Sequence, residues 1–124
     1  MVLVDTSVWI RSLAGKAPYV AGLDRLLGRD EVAGHELVYG ELLIGDRGGR
    51  RKLLEAYERM HQASIVPHRE VVAFVRERDL HGHGLGWIDA HLLASAIVWR
   101  LKLWTADSGL SVVARELGVA WELS

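Results

Sequence analysis

The 124 residues are half apolar and carry 15 basic against 16 acidic side chains, for a formal net charge of −1. That balance excludes a disordered tail and a protein that coats nucleic acid by bulk charge, while leaving room for a nucleic-acid enzyme whose site is locally acidic. There is no cysteine, which removes disulfides and thiolate metal sites.

The length suits one domain spanning residues 1–124, large enough to bury a core without staples. Asp5 interrupts the opening apolar run too early for a signal peptide, and no apolar run approaches the ~20 residues of a membrane span. The expected location is therefore cytoplasmic.

Val2 to Val4 read as a strand buried on both faces, because a brief continuous apolar run bounded by polar residues suits that setting. Ser7 to Leu13 reads as a short helix, Ala14 to Pro18 as a loop, and Tyr19 to Leu27 as a second helix with Val20, Leu23, Leu26 and Leu27 on one stripe. Gly28 to Asp30 ends it. Glu31-Val32-Ala33 is a candidate short strand and Glu36 to Gly45 a helix, followed by a basic, Gly-containing turn over Asp46 to Lys52.

Arg51 to Ala63 is expected to be helical, with Leu53, Leu54, Tyr57 and Met60 inward. Ser64 to Pro67 reads as a short strand closed by its proline, and Glu70 to Leu80 as another helix. His81-Gly82-His83-Gly84-Leu85-Gly86 is too rich in glycine to be anything but a loop. The most hydrophobic helix starts at Trp87 or Ile88 and runs to Arg100. Leu101 to Thr105 is a strand, Ser108 to Leu117 a helix and Val119 to Leu123 a last strand. Strands alternating with helices imply a three-layer α/β/α sandwich with a mainly parallel central sheet.

Four acids sit where solvated acids do not belong. Asp5 ends the first apolar strand, Glu41 lies within Leu37-Val38-Tyr39-Gly40-Glu41-Leu42-Leu43-Ile44, Asp89 opens the most hydrophobic helix, and Asp107 follows the Leu101–Thr105 strand. Each has a structural alternative. Asp5, Asp89 and Asp107 could cap helices or favour their dipoles, and Glu41 could face water between apolar turns. If they converge, charges ~5 Å apart at an effective dielectric of ~20 repel by about 3 kcal/mol per pair. Such a cluster needs a dication, or must hold some of its protons. Oxygen donors of this kind suit Mg²⁺ or Mn²⁺, with water completing the shell.

Asp5-Thr6-Ser7, Gly40-Glu41-Leu42-Leu43-Ile44-Gly45, Ile88-Asp89-Ala90-His91-Leu92-Leu93-Ala94-Ser95-Ala96 and Leu103-Trp104-Thr105-Ala106-Asp107 together resemble the PIN-domain family, in particular the small VapC-type toxins of VapBC toxin–antitoxin pairs. The resemblance spans essentially the whole chain, with the Gly82-rich loop before Asp89 as a mild departure. It implies a Mg²⁺- or Mn²⁺-dependent endoribonuclease. Asp5, Glu41, Asp89 and Asp107 would be its catalytic and metal-holding acids, and Thr6 or Ser7 the hydroxyl beside the first aspartate. It also implies RNA as substrate, a homodimer, and a VapB-type antitoxin that inserts a peptide into the site.

Arg47, Arg50, Arg51 and Lys52 form the densest basic run, with Arg11 and Lys16 near the first strand end. They are either a solvated face or phosphate contacts for RNA, Arg11, Arg50, Arg51 and Lys52 being the candidates. Of the five tryptophans, Trp9 and Trp87 are candidates for base stacking, against core or interface packing. His81 and His83 read as exposed loop residues, and His91 as a hydrogen-bonded core or interface histidine.

Two other functions compete. A phosphoryl-transfer domain using Asp5 as covalent acceptor would want a second aspartate two positions on, where Ser7 stands, or a lysine on a late strand, where Lys102 is the candidate. A catalytically silent PIN-like module would bind RNA or protein only.

Overall fold

The protein is described from a computed structural model covering residues 1–123. Three parallel strands, β1 (Val2–Val4), β2 (Val32–Ala33) and β3 (Lys102–Trp104), form a sheet in the order β2-β1-β3. Seven helices surround it: α1 (Thr6–Leu13), α2 (Tyr19–Gly28), α3 (Glu36–Ile44), α4 (Arg51–Glu58), α5 (His68–Glu77), α6 (Trp87–Val98) and α7 (Ser108–Glu116). This is the α/β architecture expected from the alternation of elements.

β1 is central because it can be covered on both sides. Successive strand residues point to opposite faces, and Leu3 and Val4 are both 0% exposed. Val2 pairs with Val32 on one side and with Lys102 on the other, Leu3 with Ala33 and Leu103, and Val4 with Trp104. The main core gathers these strand residues with Val8, Trp9, Leu23, Leu42, Leu92 and Leu110. Helix α2 comes close to the sheet only because Gly22 has no side chain: a Cβ there would lie 2.8 Å from the Trp104 ring.

One expected strand is absent and another is reduced to a single rung. The Ser64–Pro67 strand does not form. Pairing occurs earlier, where Gly34 donates to His61 O at 2.7 Å and Ala63 donates to Gly34 O at 2.8 Å around an isolated Gly34–Gln62 bridge. The chain then leaves the sheet because Val66 turns into a second cluster with Val71, Ala90 and Ala94. Because His61 and Ala63 pair with Gly34, α4 stops at Glu58 instead of reaching Ala63, and the Gln62 amide donates to Tyr57 O and Met60 O beyond its end. At the far edge the expected Val119–Leu123 strand contributes one bridge, Leu103–Ala120, with Leu103 donating to Val119 O at 2.7 Å and Trp121 to Leu103 O at 2.9 Å.

The chain steps from β1 to β2 on one side and later returns to β3 on the other. In open parallel sheets the crevice at such a reversal, beyond the strand carboxyl ends, is where ligands bind. Here that crevice lies between the ends of β1 and β3. No helix among the described residues is long and apolar enough to cross a membrane.

Candidate active site

Asp5 follows β1 directly and Thr105 follows β3, so parallel pairing carries both to the same crevice. Asp5 has the extended backbone of a helix-capping residue but its side chain caps nothing. Its Oδ2 instead accepts from the Ser7 hydroxyl at 2.6 Å and the Thr105 hydroxyl at 2.8 Å. Thr105 Oγ1 in turn accepts the Asp107 N–H at 3.0 Å, and Ser7 Oγ accepts the Ala106 N–H at 3.0 Å. These two hydroxyls tie the end of β1 to the end of β3 and hold a carboxylate that is only 6% exposed.

Glu41 comes from the middle of α3, and its Oε1 accepts the Thr6 hydroxyl at 2.6 Å. The helix that carries it begins at His35, whose Nδ1 accepts the Leu37 N–H at 3.1 Å and whose Nε2 faces Ser95 Oγ at 3.0 Å. Those partners require the neutral Nε2–H tautomer. Asp89, in the first turn of α6, accepts the Gly86 N–H at 2.9 Å. This is one half of a capping box, since glycine has no side chain to return the bond. Asp107 caps α7 by accepting the Leu110 N–H at 2.9 Å. The capping alternatives therefore describe Asp89 and Asp107 in part, and fail for Asp5.

The four acids share a pattern. Each is steadied through one carboxylate oxygen, Oδ2 or Oε1, and the other has no protein donor among the described residues. None of them forms an ion pair with a lysine, arginine or histidine there. They also feel one another. Burial first, and then the charges of Asp5, Asp107 and Glu41, push the Asp89 carboxyl above its usual range, against the Gly86 hydrogen bond that lowers it. The acids are thus neighbours rather than a closed cage: among the described residues no three acidic or histidine side chains complete a metal-binding group as they stand.

The sequence profile of the PIN domain matches residues 2–116. This chain belongs to the PIN-domain family. It is 44% identical over 121 residues to Ribonuclease VapC32 of Mycobacterium tuberculosis, a match spanning 97% of this chain and 95% of that protein and found in two strains. Among solved structures, PAE2754 from Pyrobaculum aerophilum covers 90% of this chain and 82% of its own, with a TM-score of 0.58 at 21% identity. That likeness speaks for the fold.

The remaining candidates of this PIN domain divide by what they touch. Arg50 Nη1 donates to Leu42 O at 2.8 Å near the end of α3, and Arg51 pairs with Glu55 at 3.2 Å across one helical turn. Lys52 is exposed, and Arg11 donates to Ser7 O at 3.3 Å while its guanidinium lies 5.8 Å from the Tyr19 ring centroid. Lys102 lies at the start of β3, the end opposite the crevice, where its Nζ donates to Gly118 O at 2.9 Å. That placement leaves the covalent-acceptor alternative without its lysine.

Trp9 is buried against Tyr57 and unavailable to a base, whereas Trp87 is exposed. His81 and His83 are exposed on the loop, bonded to Asp79 Oδ1 and Asp79 O. His91 is buried as expected, but its Nδ1 has no partner. Thr105 was the residue that sequence reasoning missed. It lies within Leu103–Asp107, where a β-branched residue at a strand end reads as strand propensity.

Proposed function

We propose that this PIN domain is a metal-dependent endoribonuclease, the toxin of a toxin–antitoxin pair, with Asp5, Glu41, Asp89 and Asp107 as its acidic centre. The observation that carries this reading is the set of carboxylates at the β1/β3 crevice, each with a free oxygen and without a cationic partner, the charges of the other three raising the proton affinity of Asp89. The likeness to a ribonuclease over almost the full chain supports the substrate class.

The donor set fits a hard divalent ion. Mg²⁺ keeps much of its water and is held by one or two carboxylates together with substrate phosphate oxygens, so it does not require a closed protein cage. When bound, Mg²⁺ or Mn²⁺ supplies an activated water for in-line attack and charge stabilisation for the leaving oxygen. The chain's own contribution is placement. Ser7 and Thr105 fix Asp5 through Oδ2 and leave its other oxygen free; Thr6 does the same for Glu41. Gly86 and Leu110 hold Asp89 and Asp107 at the first turns of α6 and α7. Exposed Ile10, Leu13, Leu43 and Ile44 on α1 and α3 support a protein partner, either a second copy or a VapB-type antitoxin.

The test is cleavage of a structured RNA mixture with Mn²⁺, with Mg²⁺ and with EDTA. Hydrolysis by water leaves 5′-phosphate and 3′-hydroxyl ends, and a substrate lacking the 2′-hydroxyl at the cut site stays cleavable. Cyclic phosphate ends, or cutting that persists in EDTA, would overturn the mechanism.

Thr105→Val removes the hydroxyl that both holds Asp5 and receives the Asp107 N–H. Loss of one such hydrogen bond to a charged group is worth ~1.5–3 kcal/mol, so kcat should fall by about 10- to 100-fold with KM little changed. Thr105→Ser should restore most of it. A Val variant with full kcat would remove Thr105 from the positioning role.

A further inference from the structure

Between α5, the loop after it and the first turns of α6 lies a cavity of about 370 Å³ that the acidic centre does not use. Val75, Leu80, Leu85 and Ala90 supply apolar walls, with Trp87 and His81 also on its lining. No acidic or basic aspartate, glutamate, lysine or arginine side chain lines it. That composition offers a phosphate no lysine or arginine and suits a flat, neutral group, since bases in single strands are bound by stacking on aromatic side chains.

We infer that this cavity receives one unstacked base of the RNA strand, next to the cleaved phosphodiester, and that Trp87 is its stacking platform. The inference rests on the ribonuclease reading and adds to it a specificity site. Two observations support the placement. Gly86 lines the cavity and its N–H is the donor held by Asp89 Oδ2 at 2.9 Å, so one glycine joins the cavity to the acidic centre. The Trp87 ring is 44% exposed yet braced: its centroid is 5.2 Å from His68 and 5.2 Å from His91, the latter edge-on at 89°. An exposed indole with its orientation set by two neighbours is prepared for a ligand, because little side-chain freedom is left to lose on binding. Its N–H has no partner among the described residues and is free for a base edge.

The loop that closes the cavity depends on glycine. Gly82 and Gly84 have φ of +79° and +77°, values that residues with a Cβ rarely adopt. The histidines between and beside them are held to Asp79, the His81 ring at its carboxylate and the His83 ring at its backbone carbonyl.

The experiment is an abasic scan in EDTA, which measures binding without cleavage. A short unstructured oligoribonucleotide is compared with versions in which one base at a time is removed, first on the wild-type chain, which needs no variant to fold. One position should weaken binding by about tenfold, the range of a single base–aromatic stack. Trp87→Ala should weaken the intact strand by the same factor and erase the penalty at that position, and Trp87→Phe should keep most of it. A flat scan, or a penalty that persists undiminished in Trp87→Ala, overturns the inference; the cavity would then be left for another occupant, such as an apolar side chain of a protein partner. Cleavage by the wild-type chain, read separately, keeps the two ideas apart. Cutting with a flat scan removes the base site alone, and base-dependent binding without cutting removes the nuclease reading alone.

Discussion

Asp5→Asn is expected to lower metal-dependent RNA cleavage by about three orders of magnitude while leaving the metal-free chain as stable as before or slightly more so. The substitution keeps the shape of the side chain and a carbonyl oxygen for the Ser7 and Thr105 hydroxyls. What disappears is a unit charge at the crevice. At ~4 Å and an effective dielectric of ~20 that charge is worth about 4 kcal/mol to a cation or to developing positive charge, which is about 10³ in rate. Stability should move the other way because Asp5 is one of the charges that raise Asp89. An acid kept for the fold alone would show the reverse, with lost stability and retained cleavage. Initial rates with Mn²⁺ and urea unfolding in EDTA decide between them; a variant within tenfold of the wild-type rate would remove Asp5 from the reaction.

Acidification below pH 6.5 is expected to cost about 3 kcal/mol of folding free energy through His35 alone. Burial, with the charge of His91 adding to it, lowers this fully enclosed imidazole from 6.5 to about 4. Between those values the unfolded chain binds a proton that the folded chain refuses. The contribution is therefore complete above pH 6.5 and lost as pH falls toward 4. Protonation also removes the Nδ1 acceptor that caps α3, the helix bearing Glu41. Asp89 opposes this trend, since a carboxyl raised in the folded state takes up its proton favourably as pH drops. The difference between wild type and His35→Asn isolates the histidine: asparagine can still cap the helix but does not titrate. Urea unfolding from pH 7.5 to 4.5 should show the steeper loss in the wild type, and parallel curves would disprove the assignment.

Much of the candidate site is legible in the sequence because its logic is one of contradiction. Acids at the ends of Val2–Val4 and Leu101–Thr105 stand out against the apolar runs they terminate, and parallel pairing of those runs brings the acids together. What could not be read is what each polar atom reaches. Asp5 looks equally like a helix cap until its carboxylate is seen to accept the Ser7 and Thr105 hydroxyls in place of a helix N–H. Arg50 carries the same formal charge whether it meets solvent or the Leu42 carbonyl. Ser64–Pro67 has the composition of a strand, but period and propensity do not reveal that Val66 is claimed by a second cluster. Tertiary partners decide these cases, and a single chain of letters does not contain them.

The single rungs at Gln62 and Ala120 also have a bearing on solubility. A three-stranded parallel sheet has two outer edges, and rows of unpaired amides and carbonyls there are templates for pairing with another molecule. At Gly34, beyond the end of β2, and at Leu103 on β3, both the N–H and the C=O are occupied by a crossing segment of the same chain. Each segment then departs after one rung, so it shields the edge without extending it. The two single-rung segments act as guards, giving a sheet with short β2 and β3 borders little continuous edge on which a second molecule could add a strand.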